Sequence, residues 1–246
     1  MRIIISLCML LCLPLSVYAL CDTPAGPQVN WSGCDKSGVD LHGANLREAA
    51  LAGANLKGAK LSGARMNGAD LTSANLQQAD LSKASMRNVD LVGIKGEQAN
   101  FAGATLDGAS FSRAELKQAN FTGADLSKAH FYDASVTQAV FTGATLENAN
   151  FERARLTDSK LDKVKAAGAS FLDAQMEAVN LVKADLTRSK MDKANLLDAD
   201  FTGANLTKAS LREAIIDGAI FQDAILSDAS WADYRRCRKD AVSQCR

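Results

Sequence analysis

Residues 51–81 read LAGAN LKGAK LSGAR MNGAD LTSAN LQQAD L. A large apolar residue returns at every fifth place, and an alanine stands two places before each. The register runs without insertion from Leu41 to Trp231, 39 positions of which only Gly96 and Ala166 are undersized. The companion column, Val39 to Ala229, is alanine at 32 of its 39 places. Its exceptions are Val39, Val89, Ile94, Ser159, Val164, Val179 and Ser189.

A helix cannot use this pattern. Five residues advance a helix by about 500°, so the leucine column would spread over every side. A strand can use it, because residues two apart share a face. Alanine and leucine then both point inward, and the other three residues of each repeat point out. Five is odd, so a straight strand would turn the next leucine outward. The chain must therefore turn a corner in every repeat. Glycine occupies the second place after the leucine in 13 repeats, among them Gly43, Gly53, Gly58 and Gly63, which is where such a turn wants it. Corners of one hand coil the chain around a narrow shaft.

Two patterns give the number of sides. All nine phenylalanines, Phe101 to Phe221, lie in the leucine column at separations of ten residues or multiples of ten. That implies an even number of sides. Within the array, Gln78, Gln98, Gln118 and Gln138 alone place glutamine two after the leucine. A twenty-residue coil would stack them as an amide ladder. The undersized sites show a packed interior. Ile94 precedes Gly96 and Val164 precedes Ala166, so volume is conserved locally.

Ala-Asn-Leu-Lys-Gly (54–58), Ala-Asp-Leu-Thr-Ser (69–73), Ala-Asp-Leu-Ser-Lys (124–128) and Ala-Asn-Leu-Thr-Lys (204–208) resemble the A(D/N)Lxx units of pentapeptide repeat proteins. The resemblance covers residues 39–231. It implies an all-β fold, a right-handed quadrilateral parallel β-helix of about ten coils, four repeats to a coil. At about 4.8 Å per coil the rod is roughly 45 Å long. The cysteine-bearing flanks are similar to the ends of exported family members.

The chain is predicted to divide into a signal peptide (1–19), an N-terminal cap (20–40), the β-helix (41–231) and a C-terminal cap (232–246). Arg2, the apolar run Ile3–Leu15 and Ser16-Val17-Tyr18-Ala19 form a secretory signal pattern, which places the protein in the periplasm or outside the cell. A lipoprotein cut before Cys21 is the rival, with Leu20 at an unusual place for it. Cys8 and Cys12 leave with the leader. Cys21, Cys34, Cys237 and Cys245 remain, an even set suggesting disulfides in an exported chain. Three pairings are possible. The preferred ones are local, Cys21 with Cys34 and Cys237 with Cys245, because two cysteines sit at each extreme. Zinc is the rival, but neither pair has Cys-x-x-Cys spacing and no histidine lies near.

The 246 residues carry 28 Lys+Arg and 28 Asp+Glu. A nucleic-acid binder needs a basic face. A topoisomerase-directed DNA mimic, which some family members are, needs a dense acidic one and a cytoplasmic location. An array without insertions has no long loop from which to build a catalytic cleft. His42 and His130 read as surface residues, and no nucleotide or hydrolase motif occurs. A carbohydrate-active β-helix would need paired carboxylates and aromatic platforms, and Tyr132 is the only aromatic clearly outward on the array. The expected function is a non-enzymatic structural or protein-binding rod without cofactor, metal or membrane span.

Interleaved charges over 152–193 suggest salt-bridge ladders. Residues 198–233 hold seven acids and two bases, while 234–246 hold five bases and one acid. Ile215, Ile220 and Ile225 occupy outward places that are usually polar elsewhere. The tail is expected to fold back over the last coil, covering part of them with Tyr234 and Val242. The alternative is that the isoleucines form a dimer contact and the tail is disordered.

Overall fold

The computed structural model describes residues 21–245. The segment read as a signal peptide (1–19), Leu20 and Arg246 lie outside the described residues. Beyond Cys21, no described residue is helical.

Every fifth residue from Asn30 to Ser210 pairs in parallel with the residue twenty places on, making 37 bridges. Four five-residue repeats therefore make one coil, and each repeat makes one face. One face stacks Asn30, Ala50, Asp70 and onward to Ser230. The others stack Asp35 to Ile215, Asp40 to Ile220 and Asn45 to Ile225. Ten coil intervals separate Asn30 from Ser230, a length of about 48 Å.

The ladder reaches back into the segment read as the N-terminal cap. Trp31 and Lys36 take the leucine places of the first coil, and Val29 and Cys34 the alanine places. A lysine in the apolar column is what hid this first half-coil.

The repeat beginning at Leu71 shows why the array holds. The Leu71 N–H donates to Asp90 O on the next coil (2.8 Å), and the Ser73 N–H to Val92 O (2.8 Å). The Ala74 N–H closes the turn onto Leu71 O (2.9 Å), and the Asn75 N–H reaches back to Ala54 O (2.9 Å). One donor is left, the N–H of Thr72. It binds Asp70 Oδ1 at 2.9 Å. An aspartate or asparagine before the leucine place thus does specific work, bonding the backbone two residues on. Where that place holds Ser85, Asn67 from the preceding coil supplies the acceptor to the Arg87 N–H at 2.8 Å.

The second residue after each leucine place turns the corner. From Gln28 to Asp228 all 41 such residues have φ between +51° and +71°, and only 15 are glycine. At Gly108 a Cβ would also lie 2.5 Å from Asn88 Oδ1 of the preceding coil, so a side chain there would require Asn88 to shift.

The leucine and alanine columns fill the shaft almost without exposure from Leu46 to Leu211. Between Phe101 and Phe171 the phenylalanines form two stacks on opposite faces, and Phe201 stacks on Phe221 further along. Phe101, Phe121 and Phe141 stack at 4.9 and 4.8 Å between ring centres. Phe111, Phe131, Phe151 and Phe171 stack at 4.7, 4.5 and 5.2 Å. Across the shaft the rings meet edge to face at 5.6–6.0 Å, the geometry aromatic quadrupoles favour. The glutamine ladder forms on one corner: Gln78 donates to Gln98, Gln98 to Gln118 and Gln118 to Gln138, at 3.0, 3.0 and 3.2 Å.

At Gly96 a Cβ would meet Leu116 Cδ2 at 2.8 Å and Ile94 Cδ1 at 3.3 Å. Ile94 therefore occupies the volume that a leucine fills elsewhere. Gly96→Leu is expected to cost about 2–3 kcal/mol, and adding Ile94→Ala to recover most of it, because the pair restores the ordinary repeat. Urea unfolding of the two variants measures this. Equal instability of single and double variants refutes the exchange of volume.

Leu126 is fully buried, and Ser127 stands on the outer surface of the same repeat. Leu126→Lys is expected to lose more than about 4 kcal/mol, the cost of an unpaired buried charge. Ser127→Lys is expected to stay within about 0.5 kcal/mol of wild type. Matching melting temperatures for the two overturn the inward and outward assignment.

Candidate interaction surfaces

The flanks of the rod are built of corner and bridge side chains standing out from four narrow faces. His42 and His130 are both exposed. Among the described residues no group of three His, Cys, Asp or Glu side chains is placed to hold a metal ion. No described helix is long and apolar enough to cross a membrane.

The expected salt-bridge ladders over 152–193 do not form. The ion pairs among the described residues are Arg235–Asp233 at 2.6 Å and Arg236–Asp228 at 3.6 Å, both near the tail. Corner side chains project outward from a left-handed residue, so stacked partners such as Arg153 and Asp173 stay apart in water. A solvated pair gains too little to hold two long side chains in place. Tyr132 does find a partner. Its hydroxyl accepts from Arg153 Nη1 at 3.4 Å, and the guanidinium lies 5.9 Å from the ring centre.

The N-terminal end is plugged by a polar cluster around a buried tryptophan. Cys21 is bonded to Cys34 with a Cα–Cα distance of 5.5 Å. Trp31 Nε1 donates to the carbonyl and hydroxyl oxygens of Thr23, both at 3.1 Å. Lys36 Nζ lies 4.2 Å from the Trp31 ring centre and donates to Cys21 O. The rim carries Asp35 and Asp40. The Ser37 N–H, then the Ser37 hydroxyl, hold the Asp35 carboxyl below its ordinary range. A charged residue in the core column and acids on the rim discourage another strand from adding here.

The C-terminal end differs. The tail turns back and pairs antiparallel with two faces of the last coil, Val242 against Ile225 and Arg236 against Ser230. Five backbone bonds fasten it: Leu226 N–H to Ala241 O, Ser243 N–H to Ala224 O, Trp231 N–H to Arg235 O and Cys237 N–H to Ala229 O, all 2.8–2.9 Å, and Asp228 N–H to Arg238 O at 3.5 Å. Cys237 and Cys245 are bonded, with a Cα–Cα distance of 4.7 Å. The tail is thus ordered against the shaft.

Its packing differs from expectation. Tyr234 and Val242, expected to pack inward, are 62% and 53% exposed. Cys237 and Ala241 fill the inward places instead, at 2% and 6% exposure. Side chains alternate along a strand, and the antiparallel register turns Arg236 and Val242 outward. Nor does the tail bury the isoleucines: Ile215, Ile220 and Ile225 remain 49%, 48% and 42% exposed.

Two faces of the last coil have no strand above them. The N–H groups of Ile216, Gly218 and Phe221, and the carbonyls of Ala214 and Ala219, have no hydrogen-bond partner among the described residues. Ile216, Ala219 and Phe221, core residues by register, are partly exposed there. The tail half stands one strand layer above this open half.

The family described as pentapeptide repeats matches the chain at residues 28–58, 49–88, 169–207 and 194–230. A pentapeptide repeat region matches at 97–171 and 114–187. Among solved structures, HetL, a pentapeptide repeat protein involved in heterocyst differentiation regulation in the cyanobacterium Nostoc sp. strain PCC 7120, is 25% identical. It covers 85% of this chain and 92% of its own, with a TM-score of 0.59. QnrB1, a plasmid-mediated fluoroquinolone resistance protein, is 17% identical over 77% of this chain and 87% of its own, with a TM-score of 0.36. A pentapeptide repeat protein of the Arabidopsis thaliana thylakoid lumen is 28% identical over 50% of this chain and 72% of its own, with a TM-score of 0.32. No curated protein matches the chain in sequence.

The Tyr234 hydroxyl donates to Glu213 Oε1, on the corner that precedes the open half. That hydrogen bond, with burial and the charge of Glu213 behind it, raises the Tyr234 hydroxyl above its ordinary value of 10.0. The neutral phenol is the form the fold favours. Its contribution is therefore complete below the ordinary value and is lost as pH rises through the higher folded value. In a Tyr132→Phe background, alkaline absorbance titration is expected to show Tyr234 ionising at lower pH once Glu213→Gln is added. An unchanged curve removes the contact.

Proposed function

The chain belongs to the pentapeptide repeat family, and from that premise we propose that it is an exported, non-enzymatic rod that presents its surface to a protein partner. The observation that carries this reading is the array itself. Ten coil intervals pass without one insertion, so the molecule offers long flat faces and two distinct ends rather than a cleft. Such a surface suits recognition by extended contact.

Export is supported by the signal pattern and by cysteine placement. Both cysteine pairs are bonded at the rod's ends, as small stabilising crosslinks are in oxidising compartments. The Cys21–Cys34 bond also uses the sulfur that lipidation at Cys21 would require, which favours the soluble mature form over a lipoprotein. The DNA-mimic reading lacks its electrostatic basis, because the chain's acids and bases are equal at 28 each.

Mass spectrometry of the native protein is expected to find a chain beginning at Leu20 in the fraction outside the cytoplasm. Crosslinking in the intact envelope is expected to join the rod to a protein. An intact Met1 with cytoplasmic fractionation overturns export. Inhibition of a topoisomerase by the purified rod overturns the scaffold reading in favour of mimicry.

A further inference from the structure

We propose that the open half of the C-terminal end is a strand-acceptor site, at which an extended basic segment of a partner protein adds as the next half-coil. This rests on the reading of the rod as protein-binding and specifies where it binds and what kind of segment it takes.

The backbone comes first. In the array, leucine-place and corner N–H groups donate to the coil above, and alanine-place carbonyls accept from it, as those of Leu71, Ser73 and Ala54 do. On the faces of Ile215 and Ile220 the same groups have no partner among the described residues. They are the N–H groups of Ile216, Gly218 and Phe221 and the carbonyls of Ala214 and Ala219. Unpaired edge groups in register are a template for one more strand. The other two faces already hold such a strand, the tail paired against Ile225 and Ser230.

The tail also sets the length. It bonds the Glu213 N–H through Ala232 O at 3.0 Å and the Asp223 N–H through Ser243 Oγ at 2.9 Å. The gap between these two points spans 214–222, two faces and the corner at Gly218.

Burial gives the side-chain pattern. Ile216, Ala219 and Phe221 are partly exposed, whereas Leu196, Ala199 and Phe201, one coil below, are fully buried. A segment with one large and one small side chain turned inward on each face closes the shaft over them. Outside, Ile215 and Ile220 are 49% and 48% exposed, and Leu197 is 38% exposed on the corner between their faces, one coil below. Apolar residues of the segment pair with the two isoleucines across the ladder.

Charge selects the partner. The corners within and beside this half carry Glu213, Asp217 and Asp223 against one base, Arg212. Asp217 and Asp223 are exposed, and neither has an ion-pair partner among the described residues. Lysine or arginine at the corner places of the added segment stands over these acids.

The test uses the protein purified with both disulfides formed. The probe is the peptide Ala-Val-Leu-Lys-Gly-Ala-Val-Leu-Lys, blocked at both ends, which supplies the inward pairs and basic corners of the missing half-coil. Its addition is expected to slow amide exchange at Ile216, Gly218 and Phe221 about tenfold or more, read by NMR. Replacing both lysines of the peptide by glutamate is expected to weaken binding about tenfold. Asp217→Lys with Asp223→Lys in the rod is expected to reverse that preference. Both positions are exposed, and an unchanged melting temperature checks the fold. Unchanged exchange at the three amides in millimolar peptide overturns the proposal, even if the peptide binds elsewhere. A partner crosslinked along the flanks of the rod then leaves the protein-binding reading standing. Slow exchange at these amides before peptide is added, in a rod sedimenting at twice the monomer mass, also overturns it, because a second copy then fills the edge.

Discussion

A left-handed residue at every fifth place is the constraint on which the whole molecule rests. The 41 corners from Gln28 to Asp228 all adopt it, and 26 of them carry a side chain. Each such residue sits in a conformation that costs about 1 kcal/mol or more relative to a right-handed one. The corner persists because the surrounding bonds over-determine it. In a repeat that begins with Asp or Asn, such as that of Leu71, four backbone N–H groups are bonded within the turn or between coils, and the fifth finds the Asx side chain at the start of the turn. No single element could be removed from this arrangement without leaving buried backbone unpaired.

The corner also sets the bore of the shaft, and the bore sets the composition. One large and one small side chain per face fill it, so alanine is required as strictly as leucine. Ile94 with Gly96 and Val164 with Ala166 show the same volume shared differently. Where the large place is phenylalanine on opposite faces, rings stack along the rod and meet edge to face across it. Ser159 shows what a polar substitute needs: its hydroxyl donates to Val136 O at 2.7 Å. Ser189, equally buried at 1% exposure, finds no such acceptor among the described residues.

A solenoid built by stacking must stop somewhere, and the two ends stop in different ways. The first coil ends in charge, with the Lys36 ammonium lying over the Trp31 ring. The last coil ends in an antiparallel tail that covers half of it and leaves isoleucines around the rest.

Sequence alone determined the shaft. A five-residue period is incompatible with a helix and forces a strand with corners. The spacing of Phe101 through Phe171 and of Gln78 through Gln138 selects four sides, because contacts at a separation of twenty residues repeat often enough to leave a periodic trace. The Asx turn leaves its trace in the Asp or Asn that recurs before many of the leucines, but by sequence those residues read as ordinary outward polar places. What only the tertiary structure decided lies at the ends and on the surface. That Trp31 and Lys36 belong to the first coil, that Cys237 and Ala241 rather than Tyr234 and Val242 face inward, and that Arg153 does not pair with Asp173 are each decided by one contact without repetition. A repeat averages many weak preferences into one register, whereas an end depends on a single strand's pairing and a surface charge on its competition with water.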